Sequence, residues 1–260
     1  MSETPKAEIK PAATILLLRD DPTFEVLMVK RHHQIDFASG ALVFPGGKSH
    51  AGDHDPNWDA HTVGWEAYDA DQRGLRIAAI REVFEEAGIL LARRRDGQPM
   101  SGEACPMAVR QAVDKGETRF IDVISGLDAY LDLDALTVFA RWITPSMMPK
   151  RFDTWFYAVN APAEQVAACD GHETVDAEWI APSEVLRLAE AGERKVIFPT
   201  RMNVQLLAEA DSAADAVARA AARTLVTVEP QVEKREGGRV LVLPSNAGYG
   251  DVAEPMENVT

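Results

Sequence analysis

Cysteine is nearly absent: the 260 residues contain two, Cys105 and Cys169, and neither falls in a metal-binding spacing. That argues against a disulfide framework or a thiolate zinc site, and for two packed thiols in a reducing compartment. Basic charge is also in deficit. There are 27 Lys and Arg against 41 Asp and Glu, a net charge of −14. Nucleic-acid binding needs concentrated Lys and Arg, so a general nucleic-acid partner is excluded. A phosphorylated small molecule whose charge is met by cations remains open. No apolar run reaches the ~20 residues that span a bilayer, and MSETPKAEIKPAA at the start has no apolar signal core. A cytoplasmic protein with no membrane partner is expected. The six histidines show no zinc-site spacing with suitable partners.

What is present is a chain of mixed pattern, 46% hydrophobic and long enough to bury a sizeable core. Residues 1–12 are polar, carry Pro5 and Pro11, and read as a flexible arm. ATILLL (13–18) and EVLMVK (25–30) flank RDDPT as a strand pair, and ALVFPGG (41–47) is a strand ending in a Pro-Gly-Gly turn. Further strands are expected at 136–144, 152–160 and 175–180. Helices are expected at 75–87, 105–115, 119–130, 183–190 and 199–222. The alternation predicts an α/β sandwich with a mixed sheet, spanning 13–222. After 223, TLVTVEP and RVLVLP flank EKREGG, which reads as a hairpin in a C-terminal extension over 223–260.

One stretch is out of the ordinary. REVFEEAGI, Arg81 to Ile89, sets Glu82, Glu85 and Glu86 at i, i+3 and i+4, so a helix carries all three carboxylates on one face. Ile77, Ile80 and Phe84 fall on another face, the one to be buried. Gly88 stands where a left-handed helix terminus favours glycine. Like charges at this spacing repel, and a hard divalent cation would account for them, because Mg²⁺ takes a few carboxylate oxygens and keeps sites for water and phosphate. A solvated acidic face is the alternative.

REVFEEAGI, with PGG upstream at a strand end, resembles the Nudix box of the Nudix hydrolases. The resemblance covers about residues 13–208 and includes FEVLMVKRHHQIDFASGALVFPGG and ARWITPSMMPKRFDTWFY. Arg81 stands 34 positions after Gly47 instead of the usual 14, so about 20 residues interrupt the box, and Asp53 stands where the family has glutamate. An insertion of about 54–74 results, with Trp58 and Trp65, and it is similar to a branch that includes a peroxisomal coenzyme A diphosphatase. The resemblance implies a Nudix-type α/β/α sandwich and metal-assisted diphosphate hydrolysis with Mg²⁺ or Mn²⁺. Glu85 and Glu86 would be ligands, Glu82 a third ligand or the base, and Arg81 an orienting ion pair. Gly46 and Gly47 would let their loop approach the metals, with the Gly47 backbone carbonyl a candidate contact. Asp53 would hold the loop or Arg81.

The substrate implied is CoA or an acyl-CoA. Hydrolysis of NADH, ADP-ribose or a nucleotide sugar is the alternative, and a non-catalytic nucleotide-binding module is a second. Arg151 is a candidate phosphate contact, since guanidinium suits phosphate oxygens, and Glu173 and Glu178 are candidates for a supplementary carboxylate. Arg93, Arg94 and Arg95 read as a solvated turn. Trp58 and Trp65 anchor the insertion, base stacking being the other reading. Self-association into a homodimer is left open.

Overall fold

The apolar run ATILLL can be almost continuous because both faces of its strand are covered. In the computed structural model, which describes residues 7–32, 40–100, 104–163, 165–169 and 174–258, this run lies within β1 (Ile9–Asp20). Side chains alternate across a strand, so Ala13, Ile15 and Leu17 enter one core while Leu16 and Leu18 enter the other. β2 (Phe24–Arg31) divides likewise, Leu27 and Val29 against Val26 and Met28.

Two short strands follow, β3 (Leu42–Val43) on β2 and β4 (Gly46–Lys48) on the first half of β1. The insertion then makes two 3-10 turns, Ala51–His54 and Pro56–His61, the short β5 (Thr62–Val63) and a third turn at Trp65–Ala67. Helix α1 (Ala70–Ala87) starts five residues earlier than the sequence pattern predicts. Asp69 explains the difference: its side chain accepts a hydrogen bond from Gln72 N at 2.8 Å and caps the helix. Gly88, at φ 72°, closes the other end as expected.

β6 (Arg93–Arg94), α2 (Met107–Asp114), α3 (Phe120–Gly126) and β7 (Ala129–Asp132) come next. The predicted helix over 119–130 is therefore cut short, because the chain turns at Asp128 (φ 48°) and pairs β7 with β5 and β6. That pairing also removes Arg93 from a simple turn; it bridges Asp132 at 3.1 Å.

β8 (Thr137–Ile143), β9 (Arg151–Asn160) and β10 (Thr174–Ile180) complete most of the large sheet, whose order is β10, β2, β1, β9, β8. β1 runs parallel to β9 and antiparallel to β2, so the sheet is mixed. α1 and α3 cover one face. The other is covered by α4 (Pro182–Glu190), α5 (Phe198–Leu207) and α6 (Ala213–Ala222), completing the α/β/α sandwich. The single helix predicted over 199–222 is two, since Ser212 caps α6 by accepting from Asp215 N, and Ala213 N donates to Asp20 on β1.

The C-terminal segment also departs from expectation. TLVTVEP does not pair with RVLVLP. Its β11 (Thr227–Val228) joins the large sheet beside β8. The hairpin is β12 (Gln231–Arg235) with β13 (Gly238–Val242), and β14 (Ala253–Pro255) adds a third strand. Leu241, Leu243 and Ala247 are buried in the α5–α6 core. The start of β1 at Ile9 places four residues of the expected arm in the sheet, while residues 1–6 lie outside the described residues. No helix among the described residues is long and apolar enough to cross a membrane.

Candidate active site

Helix α1 is buried along its last fourteen residues, carboxylates included: Glu82, Glu85 and Glu86 are each at most 9% exposed. Burying three carboxylates demands partners, and the chain supplies them. Arg81, 5% exposed, donates from Nη1 to Glu82 Oε1 at 2.9 Å and to Glu85 Oε2 at 2.7 Å. Its Nε and Nη2 donate to Asp53 Oδ1 and Oδ2 at 2.8 and 3.0 Å, and Nη2 also to Lys48 O. Asp53 is set for this by the 3-10 turn that follows His50, whose N–H donates to Asp53 Oδ2 at 2.7 Å. Asp53 and Arg81, 28 positions apart, thus form a two-pronged buried pair.

The charges shape one another. Burial opposes the positive charge of Arg81, but its bonds to Asp53 and the charges of Glu82, Asp53 and Glu85 outweigh it and hold its pKa above the ordinary value. Burial pushes the Glu85 carboxyl up to about 8; Arg81 opposes the rise and Glu82 adds to it.

The two glycines have different reasons. A Cβ on Gly46 would lie 2.5 Å from Ala13 O and 2.7 Å from Thr14 Cα, so only glycine lets this strand press on β1. Its N–H donates to Glu86 Oε2 at 2.9 Å. A Cβ on Gly47 would lie 2.5 Å from Glu82 Oε2 and 2.6 Å from its other carboxylate atoms. Gly47→Ala therefore displaces the Glu82 carboxylate while leaving the core intact. The expected result is a fall in kcat of about 100-fold, the penalty of a ~1 Å misplacement, with little change in Tm. Steady-state kinetics and a thermal melt check it.

As a donor set, the three glutamates are hard carboxylate oxygens, the chemistry that Mg²⁺ and Mn²⁺ take. The crowding of these acids and the glycine cradle against Glu82 fit such an ion. Among the described residues no three acidic, His or Cys side chains converge ready-made around an ion, and Arg81 supplies the positive charge between Glu82 and Glu85.

Other residues singled out from the sequence lie elsewhere. Arg151 corrects the phosphate-contact expectation: it is 6% exposed and spends its guanidinium on Thr144 O at 3.0 Å and Glu229 Oε1 at 2.7 Å. It is a buried tie to the C-terminal segment. Glu178 is corrected as well. It sits across from Met28, whose side chain belongs to the α5–α6 core, so it stands on the sheet face away from α1, near Arg194. Glu173 lies outside the described residues. Trp58 is 1% exposed, packs on Phe120 with ring centroids 5.7 Å apart and donates to Gly52 O, so it anchors the insertion. Trp65 lies under the Arg73 guanidinium.

The sequence reading missed Arg110, Gln165 and Thr174, which bind backbone around the end of α1. A helix end buried so deeply must find such partners, but nothing local says which residues supply them.

Asp53→Asn keeps one acceptor oxygen and loses the charge that holds Arg81. Supporting groups of this kind are worth roughly 10–100-fold, so kcat should drop by that factor, and by less than for Glu86→Gln. The ranking of the two variants in one assay is the check.

Known proteins resemble this chain over much of its length. The family profile described as NUDT19 Nudix domain matches residues 68–205. The human protein named acyl-coenzyme A diphosphatase NUDT19 is 26% identical over 281 residues, covering 91% of this chain and 75% of its own. Its namesake from Xenopus laevis is 26% identical over 205 residues, covering 63% of this chain and 54% of its own. The crystal structure of a NUDIX hydrolase from Alicyclobacillus acidocaldarius superposes with a TM-score of 0.71 at 28% identity, over 82% of this chain and 96% of that one.

Proposed function

Since the chain belongs to the Nudix hydrolases, with a domain of the NUDT19 type across more than half its length, we propose that it is a Mg²⁺- or Mn²⁺-dependent diphosphatase acting on CoA or an acyl-CoA. The observation that carries the hydrolase reading is the buried carboxylate face of α1, knitted to Arg81, Asp53 and the glycine strand. The choice of CoA is supported by the names of the human and Xenopus relatives. The products would be a 3′,5′-phosphorylated adenosine and a phosphopantetheine.

Glu85 and Glu86 would hold the cation, which when bound neutralises phosphate charge and lowers the pKa of a coordinated water. Arg81 keeps Glu82 and Glu85 from splaying apart, and Asp53 keeps Arg81 from turning away. Gly47 leaves the Glu82 carboxylate room to lie against the strand. A carboxylate of this cluster, Glu82 in our assignment, takes the proton of the attacking water.

The test is a substrate panel. We expect kcat/KM with Mg²⁺ or Mn²⁺ to be highest for CoA or an acyl-CoA among CoA, NADH, ADP-ribose and nucleotide sugars, with products identified by mass. A higher value for ADP-ribose or NADH would overturn the substrate assignment and leave the hydrolase reading intact. No turnover of any diphosphate with either metal would mark a binding module.

A further inference from the structure

The last four residues of an α-helix leave their carbonyls without helical partners, and in a buried helix each must be met. In α1 these residues include Glu85 and Glu86, so what holds the carbonyls also holds two of the three acids. Each carbonyl has its own donor. Phe84 O accepts from Gly88 N at 3.0 Å, the ordinary left-handed closure. The other three donors come from outside: Arg110 Nε reaches Glu85 O at 2.7 Å, Thr174 Oγ1 reaches Glu86 O at 3.0 Å, and Ala168 N reaches Ala87 O at 2.9 Å. Arg110 does more than fill one place. It is 3% exposed, and its Nη1 donates to Ala168 O at 2.8 Å, so one side chain of α2 joins the catalytic helix to the segment before β10. Gly88 is fitted to it, for a Cβ there would stand 3.0 Å from Arg110 Nη1.

We infer that Arg110 is a positioning residue for Glu85 and Glu86, fixing the last turn of α1 so that both carboxylates meet the cation in one geometry. A guanidinium is well suited to this role. Its planar fork bridges two carbonyls, and its charge lies at the negative end of the helix dipole, behind the crowded acids. Without it the last turn frays, and a frayed turn cannot hold two acids at fixed separation. The inference rests on the metal reading given above.

The experiment compares Arg110→Ala with Val113→Ala, which empties core space on the same helix without touching α1 carbonyls. Three quantities are read: Mn²⁺ affinity by calorimetry, kcat and KM at saturating metal, and hydrogen exchange of the Glu86–Leu90 amides in the metal-free protein. Arg110→Ala should weaken Mn²⁺ binding about tenfold or more, lower kcat with KM nearly unchanged, and speed exchange at 86–90 beyond its effect elsewhere. Val113→Ala should lower Tm without these local changes. Arg110→Lys, which keeps the charge but lacks the fork, should be intermediate in affinity and exchange, and it serves if Arg110→Ala does not fold. Equal effects of Arg110→Ala and Val113→Ala at matched folded fraction would overturn the inference, as would wild-type affinity and exchange in Arg110→Lys. If the wild type bound no Mn²⁺, the metal reading would fall, and the exchange comparison alone would decide on Arg110.

Discussion

Glu86→Gln is expected to lower kcat on the order of a thousandfold while leaving the fold intact. The change is isosteric, and a glutamine oxygen can still accept the 2.9 Å bond from Gly46 N, so the contact between the glycine strand and α1 survives. What is lost is a negative oxygen for the cation. Charge stabilisation by a bound metal supplies several kcal/mol in the transition state, and each ~1.4 kcal/mol is tenfold in rate. Removing a charge from a crowded buried face also relieves repulsion, so Tm in chelator should hold or rise. Kinetics at low Mg²⁺, with melts on the same samples, check both halves. Near-normal turnover would remove Glu86 from the site.

Arg81→Met should give the largest stability effect. The guanidinium is shared by Asp53, Glu82 and Glu85, with contacts of 2.7–3.0 Å on four nitrogen–oxygen pairs besides Lys48 O. Methionine fills much of the volume and supplies none of the charge. Breaking a buried ion pair by removing one partner costs about 3–5 kcal/mol, and in a protein of this size that is a Tm drop of roughly 10 °C. Mn²⁺ should restore part of the loss, because a cation bound only by the folded state adds to its stability. Melts in chelator and in Mn²⁺ measure both quantities. An unchanged Tm in chelator would show that Arg81 does not neutralise the cluster.

Local pattern carried part of this structure and could not carry the rest. β1 and β2 were legible because a strand buried on both faces must read as a continuous apolar run. α1 was legible through Ile77, Ile80 and Phe84 at helical spacing and through Gly88 at its end. Its extra turn depended on Asp69, which looks like any surface acid until it caps. The alanine-rich run over 213–222 continues helically from 199–207 in composition, so only Ser212 and its bond to Asp215 mark the break. β7 was hidden because AYLD becomes a strand only by pairing with β5 and β6. At the site, the glutamate spacing was visible because it is local. Arg151 and Glu178 were misjudged because their surroundings are set by partners far along the chain: Glu229, 78 positions on, for the first and the strand register with Met28 for the second. Arg110 carried no local signal at all.

The central claim, that the α1 carboxylate face holds the catalytic cation, is tested most directly by calorimetric titration of Mn²⁺ into the wild type and into Glu86→Gln. The wild type should bind with a saturable isotherm, and the variant should bind at least tenfold more weakly while giving the same melting profile in chelator. Superimposable isotherms from the two proteins would contradict it.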